Sequence, residues 1–284
     1  MFNKINYLTV ETSTRCNAWC PSCPRNNNGF GLSKFTITDL DPVRLDEVIQ
    51  KLPSLKTIQV CGNFGDPCAS KLLNEQLAVI KKHNIRFQLH TNGSLRSKKW
   101  WKKFALDFAE ISEVWFAIDG LEDTHSIYRQ GTNWKKIIDN AKEFINAGGS
   151  AVWQLIPFAH NEHQIIDCFK LSTKLGFKRF KILKNARYKE NNYHYRTGEP
   201  IEIKPWSKFD PKKDDVLFRK KVVSNKKLER KNCMHLEFPS LYLNAYGRIT
   251  PCCYWADLKI ENANIENMFA TNNLHQLCVQ SCGN

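Results

Sequence analysis

The sequence contains no apolar run that approaches the ~20 residues a membrane-spanning helix needs. Residues 1–13 also lack the continuous apolar segment of a signal peptide, and their alternation of polar and apolar residues is typical of a strand. Internal repeats and low-complexity tracts are absent as well. These absences predict a cytoplasmic protein with no membrane partner, and 42% hydrophobic residues in a chain of 284 are enough to bury a full core.

Disulfide bonds are not expected in the reducing cytoplasm, so metal binding or catalysis is the better explanation for eleven cysteines. The chain is also short of acidic residues: 28 Asp and Glu stand against 42 Lys and Arg, a net charge of +14. Such a charge favours either an anionic partner (nucleic acid, a nucleotide, an acidic peptide or an anionic membrane) or an ordinary solvated surface. Charge alone does not decide between them.

Strand and helix patterns alternate along the first two-thirds of the chain. Because parallel strands need long crossovers, this alternation predicts a parallel sheet with helices outside it. Six such units are two short of a closed eight-fold barrel, so an open partial barrel and a doubly wound sheet both fit. Strands are predicted at residues 7–11, 57–61, 86–90, 114–118, 151–156 and 179–183, and helices at 41–52, 72–83, 98–109, 134–147 and 162–175.

The alternation stops near residue 188. Residues 204–231 are rich in Lys and Arg, which is typical of a basic helical connector or a tethering arm. Beyond them, residues 233–284 hold five of the eleven cysteines in a short, turn-rich stretch. A domain of that size has little core of its own, so a metal centre would help to hold it together.

The most specific pattern is Cys16-x3-Cys20-x2-Cys23, directly after the first predicted strand. A 4Fe–4S cluster is normally held by four thiolates, so three cysteines in one loop leave one iron open. An open metal position is what catalysis requires. The alternatives are a zinc site or unrelated thiols, but zinc usually pairs two Cys-x2-Cys units.

Residues 11–24, Glu-Thr-Ser-Thr-Arg-Cys-Asn-Ala-Trp-Cys-Pro-Ser-Cys-Pro, resemble the signature loop of the radical S-adenosylmethionine (SAM) superfamily. Asn17 and Trp19 also match common choices in that loop. The resemblance implies that SAM binds the open iron and that an external donor such as flavodoxin or ferredoxin supplies one electron. SAM then breaks to a 5′-deoxyadenosyl radical, which abstracts a substrate hydrogen.

Further matches follow the next predicted strands. Gly62-Asn63-Phe64-Gly65-Asp66-Pro67 resembles the family's Gly-Gly-Glu-Pro turn, which implies that Gly62, Gly65 and Asp66 contact the SAM amino group. Glycine would let the backbone approach the ligand closely. Thr91-Asn92-Gly93 resembles the turn that lines the SAM pocket, which makes Asn92 a candidate contact.

After the fourth predicted strand, Ala117-Ile-Asp119-Gly120 and Tyr128-Arg129-x-Gly131 resemble a segment of family members with auxiliary clusters. The resemblance makes Asp119 and Arg129 candidate cofactor contacts, with Arg129 facing an anionic group. Ala117 stands where a serine is usual, so a contact by that serine is not carried over.

The C-terminal pattern Cys233-x13-Gly247-x4-Cys252 resembles the opening of the SPASM/twitch domain, with Gly247 in a hairpin turn. Only Cys278 and Cys282 follow the Cys252-Cys253 pair, as in the shorter twitch type. The resemblance implies a second 4Fe–4S cluster on Cys233, Cys252, Cys278 and Cys282, although the same four thiolates would also suit structural zinc.

The remaining cysteines and the histidines are assigned mainly to packing. Cys61, Cys68 and Cys168 are predicted to be small buried groups, and Cys68 is also considered as a thiol facing the substrate. The structural histidines are predicted to be His90, His125 and His160.

The sequence thus predicts an α/β fold: a partial (β/α)6 TIM-like barrel over residues 1–190, a basic connector over 191–231 and an auxiliary-cluster domain over 232–284. The predicted activity is radical SAM hydrogen abstraction from a small molecule, sugar, nucleotide or peptide. The lack of a recognisable N-terminal peptide-binding extension favours a non-peptide substrate. The alternative is a zinc-stabilised, basic nucleic-acid-binding module without catalysis; the charge permits a nucleic-acid partner, but the cysteine pattern does not favour one.

Overall fold

The computed structural model describes residues 3–23, 25, 36–183, 192–194, 196–208 and 238–253. Every predicted strand and helix of the barrel is present within about three residues of its expected bounds. The barrel strands are β1 (Tyr7–Val10), β2 (Thr57–Val60), β3 (Arg86–Thr91), β4 (Ser112–Ala117), β5 (Ala151–Leu155) and β6 (Arg179–Ile182). The helices are α1 (Pro42–Gln50), α2 (Leu73–Lys82), α3 (Lys98–Phe108), the short α4 (His125–Tyr128), α5 (Trp134–Asn146) and α6 (Ile165–Lys174).

The strand order distinguishes between the two predicted architectures. Strands β1 to β6 lie side by side in chain order, and every adjacent pair among them is parallel. A doubly wound sheet would reverse its strand order at a switch point, whereas sequential order is that of a barrel. The predicted partial barrel is therefore confirmed. Residues 184–191, which follow β6, lie outside the described part.

Alternating residues divide strands β1 to β4 between two environments. One set, represented by Leu8, Ile58 and Leu89, is fully buried in the main hydrophobic core beneath the helices. The other set is polar or partly exposed and includes Gln59 and His90. The strands therefore bury one face under the helices and turn a more polar face toward the inside of the barrel.

The helix ends follow their sequence signals. Asp41 caps α1 by accepting a hydrogen bond from the Val43 amide at 2.9 Å, and Pro42 occupies the first turn. Ser97 caps α3 in the same way. The predicted helix over 162–175 begins as a 3-10 turn, Glu162–Gln164, before α6. None of the described helices is long and apolar enough to cross a membrane.

A C-terminal hairpin extends the barrel sheet. Strand β9 (Ser240–Leu243) pairs with the antiparallel β10 (Ile249–Thr250), and Gly247 has φ +78° in the connecting turn, as predicted. Strand β9 also pairs in parallel with β1, which the sequence did not predict. A separate short pair, β7 (Asn192–Tyr193) and β8 (Pro200–Ile201), lies outside this sheet.

The domain boundaries at 190 and 231 stay predictions, because residues 209–237 and 254–284 lie outside the described part. Cys233, Cys278 and Cys282 fall in those segments. Of the predicted auxiliary ligands, the structure therefore describes Cys252 alone. It lies two residues after β10, in a segment continuous with the barrel sheet.

Trp101 on α3 supplies a test of the core. Its side chain is 0% exposed and packs against the rings of Phe104, Phe116 and Phe144, with ring centroids 5.1–5.9 Å away. We expect Trp101→Ala to lower the free energy of unfolding by about 3–5 kcal/mol, because it leaves a cavity. Leu106 is on the same helix but 69% exposed, so Leu106→Ala is the matched control. Equal denaturant midpoints for the two variants would contradict this packing.

Candidate active site

A cavity of about 360 Å³ opens at the carboxyl ends of the barrel strands, where barrel enzymes place their active sites. It is lined by side chains from the cysteine loop and from the segments that follow several successive strands. Nine catalytic and cofactor-binding residues were predicted in the barrel, and eight of them line this cavity; the exception is Asp119. The lining includes Cys16, Cys20, Cys23, Gly62, Gly65, Asp66, Asn92 and Arg129.

The three thiols of the cysteine loop are enclosed to different degrees. Cys20 is buried, Cys16 and Cys23 are partly buried, and all three are free. Burial raises the pKa of the Cys16 thiol, and the Asp66 carboxylate raises it further. Burial also raises the pKa of Cys20, although the Arg129 guanidinium opposes this. The Cys16 and Cys20 thiols are therefore protonated without metal, so metal binding must release the protons of these two thiols.

The cavity supplies the donors that an iron–sulfur cluster uses. Cys16, Cys20 and Cys23 all line it, and the thiolates of a cluster bind different irons rather than one centre. Among the described residues, no three Cys, His, Asp or Glu side chains converge closely enough to hold one metal ion.

The loop after β2 packs directly against the cysteine loop. The Asp66 amide donates to the Arg15 carbonyl at 2.7 Å. A Cβ atom at Gly65 would collide with the Ser13 carbonyl oxygen. Glycine at position 65 is therefore required by the protein's own backbone, a close approach that the sequence alone had assigned to the ligand.

The Asp66 carboxylate joins the loops after β2 and β3. It is buried and accepts hydrogen bonds from the Cys68 amide (2.9 Å), the Thr91 hydroxyl (2.8 Å) and the Asn92 amide (2.6 Å). Burial raises its pKa, while the Asn92 and Thr91 bonds oppose that rise. An ionised carboxylate offers about four acceptor positions, so these three bonds leave about one for a ligand.

Asn92 extends this network to the cysteine loop. Its side-chain nitrogen donates to Asn17 Oδ1 at 2.9 Å, and its side-chain oxygen accepts from the Ser94 hydroxyl at 2.7 Å. The Asn17 nitrogen in turn donates to Ser94 Oγ at 2.7 Å. The same Asn92 nitrogen lies 3.9 Å from Cys16 Sγ. Asn92 therefore fixes the position of the loop beside Cys16.

Asp119 and Arg129 form a buried ion pair at the end of β4. Arg129 Nε donates to Asp119 Oδ2 at 2.6 Å, and Asp119 Oδ1 accepts from the Ile156 amide at 2.7 Å. Arg129 Nη1 also lies 3.7 Å from Cys20 Sγ. The guanidinium predicted to face an anionic ligand is thus already paired with Asp119 and turned toward a cysteine of the loop.

Segment 128–131 also holds the cysteine loop through its backbone. The Trp19 amide donates to the Gln130 carbonyl at 2.8 Å. A Cβ atom at Gly131 would lie 2.7 Å from the Asn17 carbonyl oxygen, and Gly131 has φ +79°. Glycine is required there because the two segments touch.

His125 has the structural role predicted for it, because both of its ring nitrogens are hydrogen-bonded within the protein. His125 Nδ1 accepts from the Asp119 amide at 3.1 Å, and its Nε2 pairs with the Thr132 hydroxyl at 3.0 Å. Burial lowers the pKa of His125 to about 3. Neutral imidazole with its proton on Nε2 satisfies both bonds, because the Thr132 hydroxyl already donates to the Arg129 carbonyl.

A second wall of the cavity was not identified from the sequence. His90 stacks on Trp115 with ring centroids 4.8 Å apart, and Gln154 lines the same wall. Burial lowers the pKa of His90 to about 4, so the ring is neutral at pH 7. Gln59 Nε2 lies 3.2 Å from His90 Nε2. The sequence did hold a signal for this wall, namely polar residues at alternating positions of the predicted strands.

The remaining cysteines divide between the core and the cavity. Cys68 and Cys168 are buried in the main hydrophobic core, as predicted, and burial raises the pKa of both thiols. Cys61 is partly buried and lines the cavity of the cysteine loop. Cys68 borders a neighbouring cavity of about 580 Å³, which also contacts Cys16.

The fold is shared with solved structures, whereas no family model and no curated protein matches the sequence. SuiB of Streptococcus suis bound to its precursor peptide SuiA matches with a TM-score of 0.67 at 14% identity, over 99% of this chain and 70% of that chain. Another SuiB structure matches with a TM-score of 0.66 at 13% identity, and this chain spans 66% of its length. The structure of anSMEcpe with bound AdoMet and Kp18Cys peptide matches with a TM-score of 0.58 at 14% identity, over 97% of this chain and 87% of that chain.

At these identities the similarity shows the fold. The matches extend over nearly the whole chain, and both proteins bind S-adenosylmethionine in their solved structures. The predicted partial barrel is thereby confirmed as the fold of this chain, shared with SuiB and anSMEcpe.

The Asp119–Arg129 pair supplies a test of the site's electrostatics. We expect Arg129→Ala to lower the free energy of unfolding of the metal-free protein by about 3–5 kcal/mol, because it leaves the Asp119 carboxylate buried without its partner. The double variant Arg129→Ala with Asp119→Asn should lose less free energy of unfolding than the two single variants lose in sum. The control is Lys103→Ala in the exposed Lys103–Asp107 pair. Its free energy of unfolding should stay within about 0.5 kcal/mol of the wild-type value. Equal urea midpoints for Arg129→Ala and Lys103→Ala would contradict a buried ion pair.

Proposed function

We propose that this chain is a radical SAM enzyme whose catalytic 4Fe–4S cluster is held by Cys16, Cys20 and Cys23. The observation that carries the proposal is that these three thiols line one cavity with the turns that follow successive barrel strands. Three thiolates leave one iron of such a cluster open to a ligand. When bound there, the cluster and SAM would supply one-electron cleavage of SAM to a 5′-deoxyadenosyl radical that abstracts a substrate hydrogen.

The chain's own residues position these groups. Gly62, Gly65 and Asp66 line the cavity and would form one wall of the SAM site, where the Asp66 carboxylate would accept a hydrogen bond from the SAM ammonium. Asn92 keeps the loop after β3 against Cys16. Arg129, held by its ion pair with Asp119, would place its guanidinium beside Cys20 and so favour the ionised state of that thiol.

The substrate approaches from the wall formed by His90, Trp115 and Gln154. This wall carries no formal charge at pH 7, because the His90 ring is neutral and its neighbours are an indole and an amide. It therefore suits a neutral polar group of a small molecule or peptide. The solved structures of SuiB and anSMEcpe with peptides support a peptide substrate. An external one-electron donor such as flavodoxin or ferredoxin reduces the cluster.

A second cluster is proposed for the C-terminal region, on Cys233, Cys252, Cys278 and Cys282. Cys252 is buried and Cys253 partly buried after β10, next to the loop that follows β2. Four thiolates would close the shell of this cluster, so it would relay electrons or stabilise the fold rather than bind SAM.

The catalytic cluster is tested by replacing Cys16, Cys20 and Cys23 together with Ala. We expect the variant to lose about four irons and to stop forming 5′-deoxyadenosine under reducing conditions while the barrel stays folded. Cys168→Ala is the control, since Cys168 is buried in the core outside the cavity. Unchanged 5′-deoxyadenosine formation by the triple variant would refute the assignment.

The auxiliary centre is tested by replacing Cys278 and Cys282 with Ser. Iron and sulfide analysis after anaerobic reconstitution should show a loss of about four irons, with the catalytic cluster retained. Because ligation contributes folding free energy, proteolysis after residue 253 should also become faster. The opposite result has two parts: the intact protein contains stoichiometric zinc, and the double variant loses that zinc while its iron content is unchanged. That result would make the C-terminal region a zinc scaffold.

A further inference from the structure

Tyr242 on β9 reaches from the C-terminal hairpin into the barrel. Its side chain is buried, and its hydroxyl donates to Glu11 Oε2 at 3.0 Å. Strand β9 brings the two residues together because Tyr242 lies opposite Thr9, two residues before Glu11. The Glu11 amide also donates to the Leu243 carbonyl at 2.8 Å. Side chain and backbone thus join the hairpin to the start of the cysteine loop.

The other oxygen of Glu11 holds the loop after β2. Glu11 Oε1 accepts from the Phe64 amide at 2.7 Å and from the Gly65 amide at 3.3 Å. The carboxylate is 1% exposed, so these donors and Tyr242 replace the water it loses. A buried carboxylate with fixed donors on both oxygens has little freedom to move.

A second contact joins the C-terminal hairpin region to the loop after β2. The Asn63 side chain donates to the Cys253 carbonyl at 2.7 Å. Asn63, Phe64 and Gly65 all line the cavity of the cysteine loop, whereas Glu11 and Tyr242 do not. Tyr242 therefore acts on a ligand in that cavity indirectly, through the residues that Glu11 holds.

We propose that Glu11 and Tyr242 are positioning residues, through which the C-terminal hairpin sets the place of the SAM-contacting loop 62–66. The proposal rests on the proposed function, since it assigns SAM to that loop. The hairpin also carries Cys252 and Cys253, so the auxiliary segment and the SAM site share one hydrogen-bonded support. Loss of the Tyr242 hydroxyl leaves Glu11 Oε2 buried without its donor, and the loop shifts or loosens in response.

The test compares two Tyr→Phe variants of the same hairpin. Tyr242→Phe removes the hydroxyl on Glu11, whereas Tyr246→Phe removes a hydroxyl that bonds the Thr36 backbone away from the cavity. We expect Tyr242→Phe to raise the dissociation constant for SAM about five- to tenfold, as loss of a donor to a buried charge predicts. The iron content should not change, and the SAM-induced shift of the cluster's electron paramagnetic resonance (EPR) spectrum should need correspondingly more SAM. Tyr246→Phe should match wild type.

Amide hydrogen exchange tests the same contact without SAM. The amides of residues 62–66 should exchange faster in Tyr242→Phe than in wild type or Tyr246→Phe, because the Glu11 carboxylate holds them less firmly once Oε2 has lost the Tyr242 hydroxyl. Unchanged exchange over 62–66 would overturn the proposal, and so would wild-type SAM affinity in Tyr242→Phe. Failure of the proposed function has a different signature, since the wild-type protein itself would then bind no SAM.

Discussion

The cavity depends on buried carboxylates that each hold the loop of a neighbouring strand. Glu11, after β1, accepts from the Phe64 amide after β2. Asp66, after β2, accepts from the Asn92 amide after β3, and Asp119, after β4, accepts from the Ile156 amide after β5. Backbone N–H groups at buried strand ends need partners, and a carboxylate is a stronger acceptor than a neutral group. The loops are thus linked across the mouth of the barrel.

The cysteine loop needs this support because residues 14–23 include no helix or strand. The Arg15 carbonyl accepts from Asp66, the Trp19 amide donates to Gln130, and Asn17 bonds Asn92 and Ser94. Each contact comes from a different strand end. A loop held on several sides can present thiols to a cluster without reorganising when the cluster binds, which is the preorganisation that catalytic sites require.

Local patterns were enough to predict the alternating strands and helices, but not to choose between a partial barrel and a doubly wound sheet. Strands β1 to β6 alternate with amphipathic helices, and parallel pairing then brings their carboxyl ends to one edge. The resemblance of the cysteine loop selected the barrel, and the resemblance of the C-terminal pattern placed Gly247 in a hairpin turn, where it has positive φ. The pairing of β9 with β1 was not predictable, since Tyr242 and Glu11 are 231 residues apart and nothing local to either encodes the contact.

The role of Asp66 was likewise only partly predictable. Its motif indicated a cofactor contact, but its bonds to Thr91, Asn92 and Cys68 depend on the fold. The inner wall with His90 and Trp115 was missed for a similar reason. Polar residues on one face of a strand indicate exposure, and only closure of the sheet turns that face toward a cavity.

The central claim is that Cys16, Cys20 and Cys23 hold a cluster with one iron open to SAM. EPR spectroscopy of the anaerobically reconstituted, reduced wild-type protein, recorded with and without SAM, tests it most directly. The account predicts a 4Fe–4S signal, part of which changes when SAM is added, because SAM binds the open iron while a fully ligated second cluster is unaffected. Two results would contradict the claim: a protein that contains zinc and gives no 4Fe–4S signal, or a 4Fe–4S signal that does not change at all when SAM is added.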